Sequence, residues 1–413
     1  MAVEVFLVGG SVRDKLLDRP SEDNDWVVVG STPAELLAEG YQQVGKDFPV
    51  FLHPETKEEY ALARTEKKQG QGYQGFECYF APDVTLEQDL MRRDLTINAI
   101  AQKHDGELVD PYHGISDIKN KILRHVSPAF VEDPLRVLRV ARFAARYHTL
   151  GFTIAPETFA LMQELAHSGE IELLSGERLW KETVRALSEP SPHIYFQVLH
   201  DCNALNCFFP ELEKLWGIPN PEEWHPEIDT GIHTMMVLEQ AAKLSDSTEV
   251  RFAALCHDLG KGLTPKEEWP SHRGHEKSGV PLIEAACKRL RIPKKYQQLA
   301  QIASEYHLHL HRIFEMDATA IVTLMENTGA YRHPHVFEQF ILACEADFRG
   351  RTGFENKDYP QRHFLLSALE VSAPVSAQAF IKKGFQGKAI GEQIKKERIA
   401  KVQESTSVNN KKS

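Results

Sequence analysis

Short apolar runs rich in β-branched residues, separated by turns, mark the first 125 positions of the chain: 3–8, 26–29, 50–52, 60–63 and 107–109. Their length and composition predict strands of a mixed sheet. From about residue 130 the pattern changes to long helical periodicity dominated by Leu, Ala and Arg, and strand signals nearly vanish. The expected fold class is therefore α+β, an α/β head followed by an all-helical neck and body. Proline-rich loops at 189–192 and 218–226 interrupt the periodic segments and mark inner boundaries. We expect four regions: 1–140, a head; 141–225, a helical neck; 226–335, a helical domain; and 336–413, a helical C-terminal region. The last stretch, 405–413, is polar apart from Val408 and is expected to fray.

The 413 residues, 42% apolar and 26% charged, leave room for two or three packed domains. No run of eighteen apolar residues exists, and the apolar stretch 3–8 stops at Gly9-Gly10 without a basic segment before it. Neither a membrane span nor a secretory signal is expected, and we place the protein in the cytoplasm. The six cysteines form no C-x-x-C pair, which argues against a structural zinc site and for a reducing compartment. A net charge of −11 means that a polyanion must meet a local basic surface. Two such regions exist: 119–148 holds seven Lys and Arg against two acids, and the chain beyond Ile381 holds nine against three. A Lys-rich tail is also a common solubilising device.

The run 5–8 leads into Gly9-Gly10-Ser11-Val12-Arg13-Asp14, read as strand, tight turn and helix start. Such a turn brings backbone N–H groups onto a phosphate, with Arg13 as the cation, although it is also a common structural connection. Asp23-Asn24-Asp25 then enters the apolar strand 26–29. Alternation along a strand projects Asp23 and Asp25 to one side, where paired carboxylates suit one or two Mg²⁺ ions for phosphoryl displacement. Further on, Arg136, Arg139, Arg142 and Arg146 fall at helical spacings on one face, while Val137, Val140, Ala141 and Ala144 occupy the other.

The order G-G-x-V-R-D, D-x-D-W-V-V-V-G, Arg92-Arg93-Asp94-Leu95-Thr96-Ile97-Asn98-Ala99-Ile100, Asp110-Pro111 with Gly114, and Glu132-Asp133-Pro134-Leu135-Arg136 resembles the polymerase-beta-like nucleotidyltransferases. Among these it is similar to the class II tRNA nucleotidyltransferases that build CCA. The resemblance implies catalytic, Mg²⁺-holding Asp23 and Asp25. It also implies a base-reading pair, Asp133 and Arg136, that selects CTP or ATP without a nucleic-acid template. Gly10, Arg13, Arg93, Arg139 and Arg142 would complete the nucleotide pocket. Glu59 is the candidate third carboxylate, although Ala61 and Ala63 follow it where the family more often has Thr and Phe. An Arg fork beside a carboxylate offers the donors and acceptor that a base edge requires. Region 141–225 would contribute to tRNA binding, recognised by shape and end, with basic patches gaining affinity from the phosphates.

In the helical half, His233, His257-Asp258-Leu259-Gly260-Lys261-Gly262, His275, His307 and Asp347 supply donors that suit Mn, Ni, Zn or Fe. The H…HD…D order resembles the HD phosphohydrolases. That resemblance implies His233, His257, Asp258 and Asp347 as metal ligands and makes 226–335 an HD domain. His275 and His307 would complete a second metal site or contact a phosphate, while His309, His311, His333 and His335 are read as structural. Together the resemblances imply a bacterial bifunctional CCA-adding enzyme with phosphatase, 2′-nucleotidase and 2′,3′-cyclic phosphodiesterase activities, favoured by Ni²⁺ or another divalent transition metal. Either a monomer or a homo-oligomer fits. The competing readings are a poly(A) polymerase-like enzyme, and a tRNA-binding HD phosphohydrolase whose head is inactive.

Overall fold

The computed structural model describes residues 3–20, 24–44, 50–68, 76–223 and 225–409; Asp23 lies outside them. The chain forms two compact units, Met1–Phe208 and Phe209–Ser413. The division falls between the two proline-rich loops.

In the first unit, the described strands β1 (Glu4–Val8), β2 (Asp25–Val29), β3 (Gln42–Val44), β4 (Val50–Leu52) and β5 (Glu59–Leu62) join one sheet. A separate hairpin, β6 (Thr65–Lys68) with β7 (Phe76–Tyr79), follows, and β8 (Ala101–Gln102) and β9 (Leu108–Val109) return to the sheet. The sheet order is β3-β4-β5-β2-β1-β8-β9, with β2 and β5 parallel and the other neighbours antiparallel. The predicted mixed sheet is present. The strands β3, β6, β7 and β8, brief or rich in polar residues, fall outside the predicted runs.

Alternation sorts the sheet residues onto two faces. Phe6, Val8, Val27 and Ala63 pack with Leu86, Leu90 and Ala99. Val28, Tyr60 and Leu62 pack with Leu36 and Phe51 on the other side. The β1 strand ends at Gly9, whose φ of +73° starts the helix Gly10–Leu16. An added Cβ at Gly9 would lie 2.9 Å from Arg93 Nη1, so the turn has both a backbone and a space requirement for glycine.

The arginine-rich helix runs Leu135–Tyr147, beginning one residue after Pro134, while Asp133 Oδ1 accepts from Leu135 N. Its apolar face is fully packed: Val137, Val140 and Ala141 have no exposure. Further helices, including Pro156–His167, Gly176–Ser188 and Pro192–Asp201, finish the unit.

The second unit is helical. Its centre is built by Thr230–Leu244, Thr248–Cys256, His275–Leu290, Lys294–His311 and Pro334–Arg349. The turn after Thr248–Cys256 packs so closely that a Cβ at Gly260 would overlap the His275 carbonyl. The terminal helix Lys388–Asn409 extends into the stretch expected to fray, of which 410–413 lie outside the described residues. Val402 is wholly buried, Lys395 pairs with Glu326 at 2.9 Å, and Arg398 lies over the Tyr331 ring at 3.6 Å. These contacts anchor it where local composition suggested none.

One stretch, Pro360–Ile381, is long and apolar enough by composition to cross a membrane, with a mean hydropathy of 1.4. It consists of two helices, Pro360–Ser372 and Ala377–Ile381. The first spans about 20 Å, short of a hydrocarbon core of about 30 Å.

Candidate active sites

The end of β1 and the start of β2 lie side by side, with Val8 opposite Asp25, and the parallel register sets Asp25 beside Glu59 on β5. Paired residues on parallel strands share a face. Asp25 and Glu59 therefore form an exposed carboxylate edge, an oxygen donor set that suits Mg²⁺.

Next to Asp25 opens a cleft of about 470 Å³, lined by Gly9, Gly10, seven arginines, Asp94, Asn98, Asp133 and Phe143. The arginines are Arg13, Arg92, Arg93, Arg136, Arg139, Arg142 and Arg146, against three aspartates. Of the residues expected in the head site, Gly10, Arg13, Asp25, Arg93, Asp133, Arg136, Arg139 and Arg142 all border this one space.

Each guanidinium has fixed partners, some in its own helix and some from distant parts of the chain. Arg13 donates through Nε and Nη2 to Asp14 at 2.9 and 3.1 Å, and through Nη1 to Asn98 Oδ1. Arg139 donates to Asp94 at 2.7 Å, and Arg142 to Glu182 at 2.8 Å. Arg146 reaches Asp14 at 3.4 Å. Arg92 and Arg93 share the buried Asp89 at 2.8 and 3.3 Å. Arg136 donates to the backbone carbonyls of Ala129 and Arg92. Its partner in the expected base-reading pair, Asp133, faces Arg178 at 3.5 Å.

Burial alone would raise the Asp94 carboxyl, but Arg139 and the Asn98 amide outweigh it and hold the group well below the usual carboxylate range. Burial likewise opposes ionisation of Asp89 and Asp14. Arg92 and Arg93 keep the first low, and Arg13 the second. The cleft is thus cationic: most of its arginines pair with carboxylates, and Arg136 is held by backbone carbonyls.

Sequence reading missed Asp89, Asn98 and Glu182. Asn98 donates to Asp94 while accepting from Arg13, a bridging role that spacing alone does not reveal.

In the second unit, five helices and their ends deliver a buried cluster. His233 Nε2 lies 3.0 Å from Asp347 Oδ1, and His257 Nε2 lies 3.5 Å from the same oxygen. His257 Nε2 is also 3.2 Å from Asp258 Oδ2. The other Asp258 oxygen faces His275 Nε2 at 3.2 Å and His307 Nε2 at 3.7 Å. The donors converge as two trios, His233 with His257 and Asp347, and Asp258 with His275 and His307. His257 Nε2 and Asp258 Oδ1 are buried without a hydrogen-bond partner.

Burial would discharge His257, yet Asp258 and Asp347 hold its proton well above the ordinary imidazole range. Both carboxyls are correspondingly held far below theirs, against burial, chiefly by His257. Two buried negative groups demand a cation, and a divalent metal fits the demand better than a proton. The expected ligands His233, His257, Asp258 and Asp347 are gathered, as are His275 and His307.

His311, read as structural, sits here too: its Nε2 is 2.6 Å from Asp347 Oδ2, and Tyr359 OH is 3.0 Å from its Nδ1. His309, His333 and His335 are exposed. Sequence reading also missed His225 and Glu227, which lie in and beside the loop read as a boundary. The cluster borders a pocket of about 510 Å³ that carries Lys261, Arg312 and Arg351 as cations.

Comparison with known proteins finds family matches in both units. Residues 5–124 match the Poly A polymerase head domain, 151–215 the probable RNA and SrmB-binding site of polymerase A, and 230–330 the HD domain. Among solved structures, a Thermotoga maritima CCA-adding enzyme complexed with tRNA is similar, with 20% identity and a TM-score of 0.64 over 97% of this chain and 87% of that one. A CCA-adding enzyme with ATP has 20% identity and a TM-score of 0.65, over 97% and 86%. A complex with CTP has 21% identity and a TM-score of 0.64, over 97% and 87%.

The chain has the CCA-adding-enzyme fold, with a polymerase-beta-like head and an HD domain. The arginine helix of this head, Leu135–Tyr147, falls between the first two matched spans. Asp347 lies beyond the matched HD span, so the HD cluster draws a carboxylate from the following helix.

Proposed function

We propose that this chain adds and repairs the 3′-terminal CCA of tRNA from CTP and ATP, without a nucleic-acid template, in the cytoplasm. The observation that carries the reading is the carboxylate edge of Asp25 and Glu59 beside a cleft lined by seven fixed arginines. Asp25, with Asp23 two residues earlier and Glu59 as third carboxylate, would hold Mg²⁺. When bound, that ion supplies activation of the tRNA 3′-OH and charge neutralisation at the leaving pyrophosphate. Arg13, Arg93, Arg139 and Arg142 hold the triphosphate beside Gly10, and the Asp133–Arg136 pair reads the base edge. The matched RNA-binding segment and the basic tail supply surface for the tRNA backbone.

In the helical unit, the His and Asp trios would hold Ni²⁺ or another divalent transition metal, which supplies a polarised phosphate and an activated water. Lys261, Arg312 and Arg351 bind the substrate phosphate at the adjoining pocket. The proposed substrates are phosphate monoesters, 2′-nucleotides and 2′,3′-cyclic phosphates. Functional regions then follow as head 1–140, neck and tRNA-binding region 141–225, HD domain 226–335 and C-terminal region 336–413.

The test gives purified enzyme a tRNA lacking CCA, with labelled CTP or ATP supplied singly and together. Addition of two C and then one A, followed by termination, is expected. Untemplated runs of A would point to the polymerase-like alternative, and no incorporation at any Mg²⁺ concentration to an inactive head.

A further inference from the structure

We propose that Glu227 is the positioning carboxylate of His233, deciding which imidazole nitrogen faces the metal; this rests on the metal-site reading above. His233 is wholly buried, and both its ring nitrogens meet carboxylates. Nε2 lies 3.0 Å from Asp347 Oδ1, and Nδ1 lies 2.8 Å from Glu227 Oε1. A neutral imidazole carries one N–H and one lone pair, so the two carboxylates compete for a single proton. A ligand to a cation must present its lone pair. The Asp347 side adjoins His257, so the proton belongs on Nδ1, toward Glu227.

The contrast with the neighbouring histidines supports this role. His257 Nδ1 lies 2.7 Å from the Ala254 carbonyl, His275 Nδ1 2.8 Å from the His272 carbonyl, and His307 Nδ1 2.9 Å from the Ser304 carbonyl. Their tautomers are set by neutral backbone acceptors one helical turn away. His233 instead faces a side-chain carboxylate, a stronger acceptor than a backbone carbonyl, which makes its Nε2 the more basic donor.

Glu227 is fixed for the task. Its side chain is buried, its Oε1 also lies 3.0 Å from His225 Nδ1, and its Oε2 accepts from Thr352 N at 3.4 Å. The Nδ1 contact is close but not aligned as a hydrogen bond. A rotation of the carboxylate or ring brings the N–H onto the oxygen, and the proposal requires that alignment in the metal-loaded protein.

The test uses the full chain with Ni²⁺ alone. Its affinity is measured by competition against a chelator, beside the melting temperature without metal, for wild type, Glu227→Gln, Glu227→Ala and His257→Ala. Losing an orienting partner of this kind weakens metal binding by about 10- to 100-fold, and that loss is expected for Glu227→Ala. Glu227→Gln keeps an acceptor oxygen without the charge and should fall between it and wild type. Equal affinity in Glu227→Ala and wild type, with His257→Ala losing binding, overturns the positioning role alone. His257→Ala binding Ni²⁺ as tightly as wild type overturns the metal-site reading and the proposal with it. If Glu227→Gln and Glu227→Ala lose affinity only in proportion to an equal fall in metal-free melting temperature, Glu227 is structural and the proposal also fails.

Discussion

The arginine cleft of the head and the histidine–aspartate cluster of the HD unit both gather charge, yet they are built from opposite materials. In the head the cations are guanidiniums that never lose their proton, and the carboxylates stand behind them as anchors, with Asp94 holding Arg139 and Glu182 holding Arg142. In the HD unit the carboxylates stand at the centre, and around them are imidazoles, which can each offer a nitrogen lone pair to a metal. The first arrangement is ready for a polyanion. The second is ready for a cation, which then presents a positive centre to a phosphate. Under the proposed function, one chain would hold two routes to phosphate chemistry, separated by which sign of charge the protein itself supplies.

If that contrast is sound, the two chemistries separate cleanly. Asp25→Ala, like Asp23→Ala, should abolish incorporation of CTP and ATP while leaving tRNA binding and phosphohydrolysis. The double change His257→Ala with Asp258→Ala should do the reverse, removing hydrolysis and keeping CCA addition. Both assays and a melting curve on each preparation check this. A folded double variant that hydrolyses 2′,3′-cyclic AMP at the wild-type rate would sink the HD site, and substantial turnover by Asp25→Ala at saturating Mg²⁺ would sink the head assignment.

A smaller effect sharpens the picture within the head. Asp133→Ala and Arg136→Ala should harm base choice more than transfer. A hydrogen bond to a charged group is worth about 1.5 to 3 kcal/mol, so misincorporation of UTP or GTP should rise roughly ten-fold or more. Because Arg136 also holds the Ala129 and Arg92 carbonyls, its variant should lose some stability as well, whereas Asp133→Ala should not lose as much. Unchanged selectivity in both variants, measured as the ratio of kcat/KM for right and wrong nucleotides, would end the base-reading role.

The smallest effect concerns the anchors. Asp14, Asp89 and Asp94 titrate below their ordinary value when folded, which is about 3.9 when unfolded. Their contribution to stability is fully present above that value and is lost as pH falls through the folded values. Asp94→Asn should therefore cost about 1.5 to 3 kcal/mol at neutral pH, with the gap from wild type closing in acid. Melting temperatures of the two proteins between pH 2 and 7 test it. A gap that stays constant over that range would refute an ionic anchor.

How much of this was legible in the sequence depends on whether the signal was local. The Gly turn, the strand carrying Asp25, the arginine face and the His257-Asp258 pair are contiguous or periodic, and each lands at a recognisable element. The acids that hold the arginines of the helix Leu135–Tyr147 are not local: Asp94 meets Arg139 across 45 positions and Glu182 meets Arg142 across 40. A helix that reads as an unrelieved basic face is therefore compensated by partners that periodicity cannot identify. His311 resembled the exposed His309 in its own run, and only the packing of Asp347 and Tyr359 against it separates the two. Proline content made 218–226 read as a connector, although the same loop brings His225 beside Glu227.

The described lining of the head cleft contains seven arginines and no lysine. One chemical consequence is that reagents seeking primary amines, and acetyl groups transferred to them, find nothing to modify among those lining residues. A protein labelled or immobilised through its lysines keeps this cationic lining unaltered, whereas dicarbonyl compounds, which condense with guanidinium groups, would strike the cleft directly.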